Sequence, residues 1–171
     1  MDAKTPSLSA VTLARLMGPQ DANSLGNVHG GVIMKMVDEA GALAAMRHAG
    51  GPVVTVRMDS MTFRKPIFVG QLVTIHAELT YAGRTSMEVR VEVQAENPFV
   101  VGDITHTNSA YVVFVAIDEH GRPRPVPPLE PENDIQRFRM EQAQQRQAFR
   151  IQQQREESAA VEEQSQRKEH E

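Results

Sequence analysis

The sequence predicts an antiparallel α+β domain, and three observations predict it. A single helical repeat of apolar residues comes early, in residues 30–48. Four segments rich in β-branched residues follow at hairpin-like spacing, and beyond Pro131 the apolar residues thin out. A βαβ fold would need helices between those strands, and the sequence offers none there. With 171 residues, 40% of them hydrophobic, the chain supplies one sizeable core and not two.

Each element has its own local cause. Residues 9–16 suit an edge strand or a short helix. Next comes Ala22-Asn23-Ser24-Leu25-Gly26-Asn27-Val28-His29-Gly30-Gly31, a segment whose Gly and Asn tolerate positive φ and form a tight loop. In residues 30–48 the apolar positions Ile33, Met36, Val37, Ala40, Leu43 and Ala44 recur at spacings of three and four, so they share one helix face that seeks a core. Gly50, Gly51 and Pro52 stop that helix. Strands are predicted over residues 53–63, ended by Lys65-Pro66, and over 72–81, ended by Ala82-Gly83. A third covers 87–95, where Val89, Val91 and Val93 alternate with Glu88, Arg90, Glu92 and Gln94. The fourth covers 104–117, closed by Asp118-Glu119-His120-Gly121. The domain is thus expected over residues 9–130. The Gln-, Glu- and Arg-rich remainder, 131–171, is expected to be a solvent-facing helix from about residue 134 to 157 that passes into a disordered end.

Composition excludes several function classes. There is no Cys, hence no disulfide framework, thiolate nucleophile or thiolate metal site. A net charge of -4, from 18 Lys plus Arg against 22 Asp plus Glu, gives no field to recruit nucleic acid or an anionic membrane. No apolar run is long enough to span a bilayer, and residues 1–17 lack a continuous apolar leader segment, so a soluble, untargeted, cytoplasmic protein is expected. The histidines, at positions 29, 48, 76, 106, 120 and 170, form no spaced ligand pair, and no metal site is expected.

The helix carries a second stripe. Gly31, Met34, Asp38, Gly41, Ala42 and Ala45 gather on a side displaced from the core face, so small residues surround one carboxylate. A solvated face is ordinarily long and charged; this one implies close approach by another subunit, a ligand, or both. Asp38 is then a candidate general base or nucleophile, the bland alternative being a carboxylate bonded to a partner's backbone or a nearby Arg. Glu39 points with Lys35 toward the polar side. The N–H groups of Gly30 and Gly31, at a helix start with no side chain in the way, suit a developing oxyanion. His29 has no nucleophile to serve, because Cys is absent and no G-x-S-x-G elbow occurs.

The run Gly26-Asn27-Val28-His29-Gly30-Gly31-Val32-Ile33-Met34-Lys35-Met36-Val37-Asp38-Glu39-Ala40-Gly41 strongly resembles the acyl-CoA thioester hydrolases of the hotdog-fold superfamily, nearest the brain-type cytosolic enzymes and their single-domain bacterial relatives. The likeness continues through Ser60-Met61-Thr62-Phe63, Lys65-Pro66-Ile67, Val69-Gly70 and Gly83-Arg84-Thr85-Ser86-Met87-Glu88-Val89 and spans about residues 10–128. The resemblance implies a hotdog fold, an antiparallel sheet wrapped around one long central helix. It implies pairing of two units edge to edge, with a homodimer carrying shared active sites and a trimer of dimers as the full assembly. The catalytic pair it implies is Asn27, in the loop before the helix, and Asp38 of the facing unit. The implied activity is hydrolysis of acyl-CoA to a free fatty acid and coenzyme A. No cofactor is implied, coenzyme A being product and ligand.

On that reading Asp38 acts on water as general base, or attacks the carbonyl itself to give an anhydride; Gly30 and Gly31 hold the oxyanion and Asn27 orients. Because the chain is net negative, local cations must take the nucleotide phosphates: Arg84 first, then Arg57, Arg64 and Lys65, with Ser60 and Thr85 as hydroxyl contacts. Met34 and Met58 are candidate acyl liners. Two rival readings share the fold: a non-catalytic acyl-CoA-binding module, and an enoyl-CoA hydratase, whose Asp and His five residues apart are not found here.

Overall fold

A computed structural model describes residues 1–59 and 61–168. Its elements are a short helix α1 (Pro6–Ser9), β1 (Val11–Leu16), a helical turn Pro19–Asp21, the long helix α2 (Gly30–Ala49), β2 (Val53–Met58), β3 (Leu72–Ala82), β4 (Ser86–Glu96), β5 (Ile104–Ala116) and α3 (Asp134–Lys168). All five strands form one antiparallel sheet in the order β1-β3-β4-β5-β2. The segment of residues 9–16, open between edge strand and short helix in the sequence, forms edge strand β1 from Val11, and α1, ending at Ser9, turns directly into it.

The sheet packs around α2 through inward positions that are apolar except for Asn108 of β5. Ile75, Ala77 and Leu79 of β3, Val89, Val91 and Val93 of β4, and Val112 and Phe114 of β5 are buried against Ile33, Val37, Ala40 and Ala44 of the helix. This is the hotdog arrangement. Leu43, assigned to the core stripe from its spacing, is 43% exposed, because the sheet ends at β2 and leaves that part of the helix uncovered. Gly41 and Ala45 move the opposite way. A Cβ on Gly41 would lie 3.0 Å from two ring carbons of Phe114, so the small residue in mid-helix admits the chain's own sheet, and neither subunit nor ligand is needed to explain it.

Helix α2 ends on Gly50 in the left-handed region at φ 67°, as the glycine pair predicts. Lys4 donates to the carbonyls of Arg47 (3.1 Å) and His48 (2.8 Å), and Arg124 to that of Ala49 (2.9 Å), placing cations where the helix dipole is negative. His48 is fully buried there. Its Nε2 faces the Pro127 carbonyl at 2.8 Å, which only accepts, so Nε2 carries the proton and Nδ1 faces the Ser9 hydroxyl at 3.3 Å. Burial lowers the pKa of His48, opposed by the bond to Pro127 and assisted by Lys4. The native state thus binds fewer protons than the unfolded chain. Stability is fully present above the free imidazole value of 6.5 and declines as pH falls below it toward the lowered native value. Thermal melts across that window are expected to show this slope, and His48→Gln to flatten it.

The strand expected over 53–63 stops at Met58, after a bulge between Thr55 and Arg57; Thr62 and Arg64 bond instead to Asn108 and Thr107 of β5 as an irregular loop. The solvent-facing tail needs the larger correction. Helix α3 continues to Lys168, past the expected end near 157, and one face of it lies on the outer surface of the sheet. Gln136, Ala143 and Arg150 are buried there. The docking is ionic. Arg139 pairs with Glu78 (3.0 Å), Arg146 with Glu88 (2.7 Å), and Arg150 with both Glu88 (2.5 Å) and Asp59.

Candidate functional site

The loop before α2 is fixed by its own polar atoms. Asn23 accepts N–H groups from Leu25 and Asn27, the His29 N–H donates to Asp21, and Val28 donates to Ile67 at 2.8 Å. These bonds set the start of the helix beside the loop of residues 61–67. Between them lies a cavity of about 240 Å³ lined by Asn27, Gly30, Phe63, Arg64 and Lys65 among others. The Phe63 ring covers Gly30 closely: a Cβ there would sit 3.3 Å from Phe63 Cζ.

Two helix-start amides were expected to be open, and one is not. His29 caps the helix, and its Nδ1 accepts the Gly31 N–H at 3.1 Å. The Gly30 N–H has no partner among the described residues. Gly30 and Asn27 therefore remain together as polar groups on the cavity, while Gly31 is occupied.

Asp38 stands two turns farther along, about 12 Å up the axis from Gly30 at 1.5 Å per residue, and does not line that cavity. It is half-buried, and Thr55 on β2 donates to its Oδ1 at 2.7 Å. Thr55 was not singled out from the sequence; a β-branched residue in a strand carries no signal of its own. One turn before Asp38, Met34 of α2 is 44% exposed, and on the opposite face of the same free edge strand Val54 and Val56 are 41% and 54% exposed, Val56 against the groove under α3. Glu39 does pair with Lys35 in solvent, at 3.7 Å.

The family profile of the thioesterase superfamily matches residues 25–101, a span that holds the cavity loop, α2, Asp38 and Thr55. The acyl-CoA thioester hydrolase YciA of Salmonella typhimurium is 37% identical over 121 residues, which are 68% of this chain and 90% of that protein. The chain belongs to the thioesterase superfamily, among its acyl-CoA hydrolases. An acyl-CoA hydrolase from Staphylococcus aureus, solved in complex with butyryl coenzyme A, coenzyme A and coenzyme A disulfide, superposes with a TM-score of 0.86 at 36% identity, covering 94% of this chain and 97% of that one. A hexameric thioesterase from Yersinia pestis is 38% identical with a TM-score of 0.64, covering 67% of this chain and 93% of that one.

In this hotdog thioesterase the candidate cations fall into three places. Arg64 and Lys65 line the cavity with Asn27. Arg57 is turned to α3, where it donates to Gln153 at 2.9 Å and pairs with Asp59 at 3.3 Å. Arg84 and Thr85 sit in the β3–β4 turn, whose carbonyls accept from Val126 and Ala116; that turn lies beside the end of β5 that pairs with Val53, at the C-terminal end of α2 and remote from Gly30. Met58 lines the groove under α3, apart from Met34. Ser60 lies outside the described residues. Among the described residues no three His, Asp or Glu side chains converge as a metal site would require, and no helix is long and apolar enough to cross a membrane.

Proposed function

We propose that the chain hydrolyses the thioester of acyl-CoA in sites shared between two copies. The observation that carries this is the separation of the two halves of the chemistry on one helix: an amide-lined cavity at its start, and two turns away a carboxylate, held by Thr55, near exposed Met34 and beside a free sheet edge. A second copy paired along β2 brings its cavity to this carboxylate. The exposed Val54 and Val56 give such an edge the hydrophobic contact it needs, and the hexameric relative supports assembly of three such dimers.

In the shared site a water bonded to Asp38 attacks the thioester carbonyl carbon, and Asp38 takes its proton. The developing oxyanion is held by the Gly30 N–H of the facing copy, with the Asn27 amide orienting water or carbonyl. Collapse of the tetrahedral intermediate breaks the C–S bond; the carboxylic acid and the coenzyme A thiolate leave, and the water's proton returns to solvent or thiolate. The acyl chain runs along Met34. Because Gly31 N–H is committed to His29, its part is to keep the approach open and not to bind the oxyanion.

Release of free thiol from acyl-CoAs graded from acetyl to palmitoyl tests the activity. Absence of release at every length would overturn it. For the nucleotide, Arg64→Ala and Lys65→Ala are expected to raise KM about fivefold to tenfold and to change kcat little, since phosphates are remote from the bond broken. Arg84→Ala is expected to behave likewise only through a neighbouring copy's site; a fall in kcat with unchanged KM would reassign any of these cations to the chemistry.

A further inference from the structure

Resting on that reading, we infer that Arg150 on α3 is a positioning residue for the loop of residues 61–67, so that the C-terminal helix sets the wall of the substrate cavity from the opposite side of the sheet. The chain of contacts is short. Asp59, at the root of the loop, donates its N–H to the Tyr111 carbonyl at 2.9 Å, and its carboxylate accepts from Arg150 through Nη2 and through Nε at 3.4 Å. Arg150 is itself immobilised. It is 7% exposed and shares its guanidinium with Glu88, a carboxylate 1% exposed that also accepts from Thr80 at 2.6 Å and from Nη2 and Nε of Arg146 at 2.7 and 3.1 Å. Gln153, one turn on, holds Arg57, so α3 grips the end of β2 as well. From Asp59 the chain passes to Phe63, Arg64 and Lys65, which face Asn27 and Gly30.

Helix docking alone does not need this contact. Without Arg150, Glu88 keeps its forked pair with Arg146, Arg139 still holds Glu78, and Asp59 still has Arg57 at 3.3 Å. What is lost, among the described residues, is the one bridge that joins the buried carboxylate of the sheet to the root of the loop. Two cations and one buried carboxylate meet where a helix that served only as cover would place apolar residues, and a guanidinium's fixed fork transmits position better than a hydrophobic contact does.

The test is Arg150→Ala in the full-length protein, with Asp59→Ala and the double variant. Arg150→Ala is expected to raise KM for acyl-CoA about tenfold while kcat falls less than about threefold, because the reacting groups on α2 are untouched. Hydrogen exchange is expected to quicken at the amides of residues 61–67, with residues 134–146 still protected. Asp59→Ala should match it and the double variant add nothing further, as a residue acting through another requires. A folded variant with unchanged KM and unchanged exchange overturns the inference, as do additive effects in the double variant. Should Arg150→Ala fail to fold, Arg150→Lys keeps the buried positive charge without the fork and is expected to show the same loop exchange at normal assembly. If the parent protein releases no thiol from acyl-CoA, the hydrolase reading fails, and loop exchange alone still decides whether Arg150 holds the loop.

Discussion

Asp38→Ala is expected to lower kcat for acyl-CoA by about 10²–10⁴, the range for removing a general base, with fold and assembly unchanged. The structure gives a reason for the clean separation. Asp38 is only half-buried, and the group it leaves behind, the Thr55 hydroxyl, is on an exposed strand position where water replaces the lost acceptor. The substitution itself orphans no buried polar atom. Asp38→Asn sharpens the result, because an amide still accepts from Thr55 but does not take a proton from water; loss equal to that of Ala assigns the effect to proton transfer and not to shape. Thiol release, circular dichroism and size-exclusion chromatography check all three statements. Near-normal release by either variant would remove Asp38 from the mechanism.

The parts of this architecture that follow from a single periodicity were legible in the sequence. The α2 core face, the stop at Gly50 and the alternation of Val89, Val91 and Val93 in β4 follow from spacings of three and four or of two, and the structure buries them. What failed depended on where another element ends. Leu43 sits on the helix's apolar stripe, yet the sheet stops short of it; Gly41 sits off the stripe, yet Phe114 reaches it. Helix α3 was misread for a chemical reason. Its docking face is built from Arg139, Arg146 and Arg150, seven and then four residues apart, and a hydrophobicity pattern has no means of recognising a stripe whose partners, Glu78, Glu88 and Asp59, come from strands far away in sequence. The charged outward positions of β4 were the available signal. Glu88 alternates with buried valines as a solvated residue would, and only the arginine stripe at helical spacing distinguishes it from one.

At the site the same division holds. Asp38 and Gly30 drew attention as a lone carboxylate among small residues and an open helix start, and Asn27 entered only through the family resemblance, while Thr55 and Phe63 gave no signal, because their positions arise from a strand edge and a loop folding over α2. The candidate cations illustrate the limit most directly. Arg57, Arg64 and Lys65 are neighbours in sequence, and the chain sends the first to α3 and the other two to the cavity.

Mixing two inactive variants is expected to restore activity. Asn27 and Asp38 of one chain are held apart by two turns of α2, and on the proposed mechanism each site therefore draws one residue from each copy. In an Asn27→Ala homodimer both sites lack the amide; in an Asp38→Ala homodimer both lack the base. A mixed dimer concentrates both defects in one site and leaves the other whole. With random pairing of equal amounts, half of the dimers are mixed and half of their sites are intact, so about a quarter of the parent activity returns. Co-expression of the two variants with different affinity tags, purification through both, and thiol release from acyl-CoA make the measurement; in an assembly of three dimers about half of the dimers in the doubly purified protein are mixed, so it too should reach about a quarter of the parent rate per site. Activity that stays at the level of the separate variants would place both residues in one chain's site, or one of them outside the chemistry. On the proposed arrangement β2 is the seam: Val56→Asp, on the exposed sheet edge, puts a charge where two copies are expected to pair, and should separate the dimer and abolish thiol release together. A monomer that still turned over acyl-CoA would show that the carboxylate needs no facing copy.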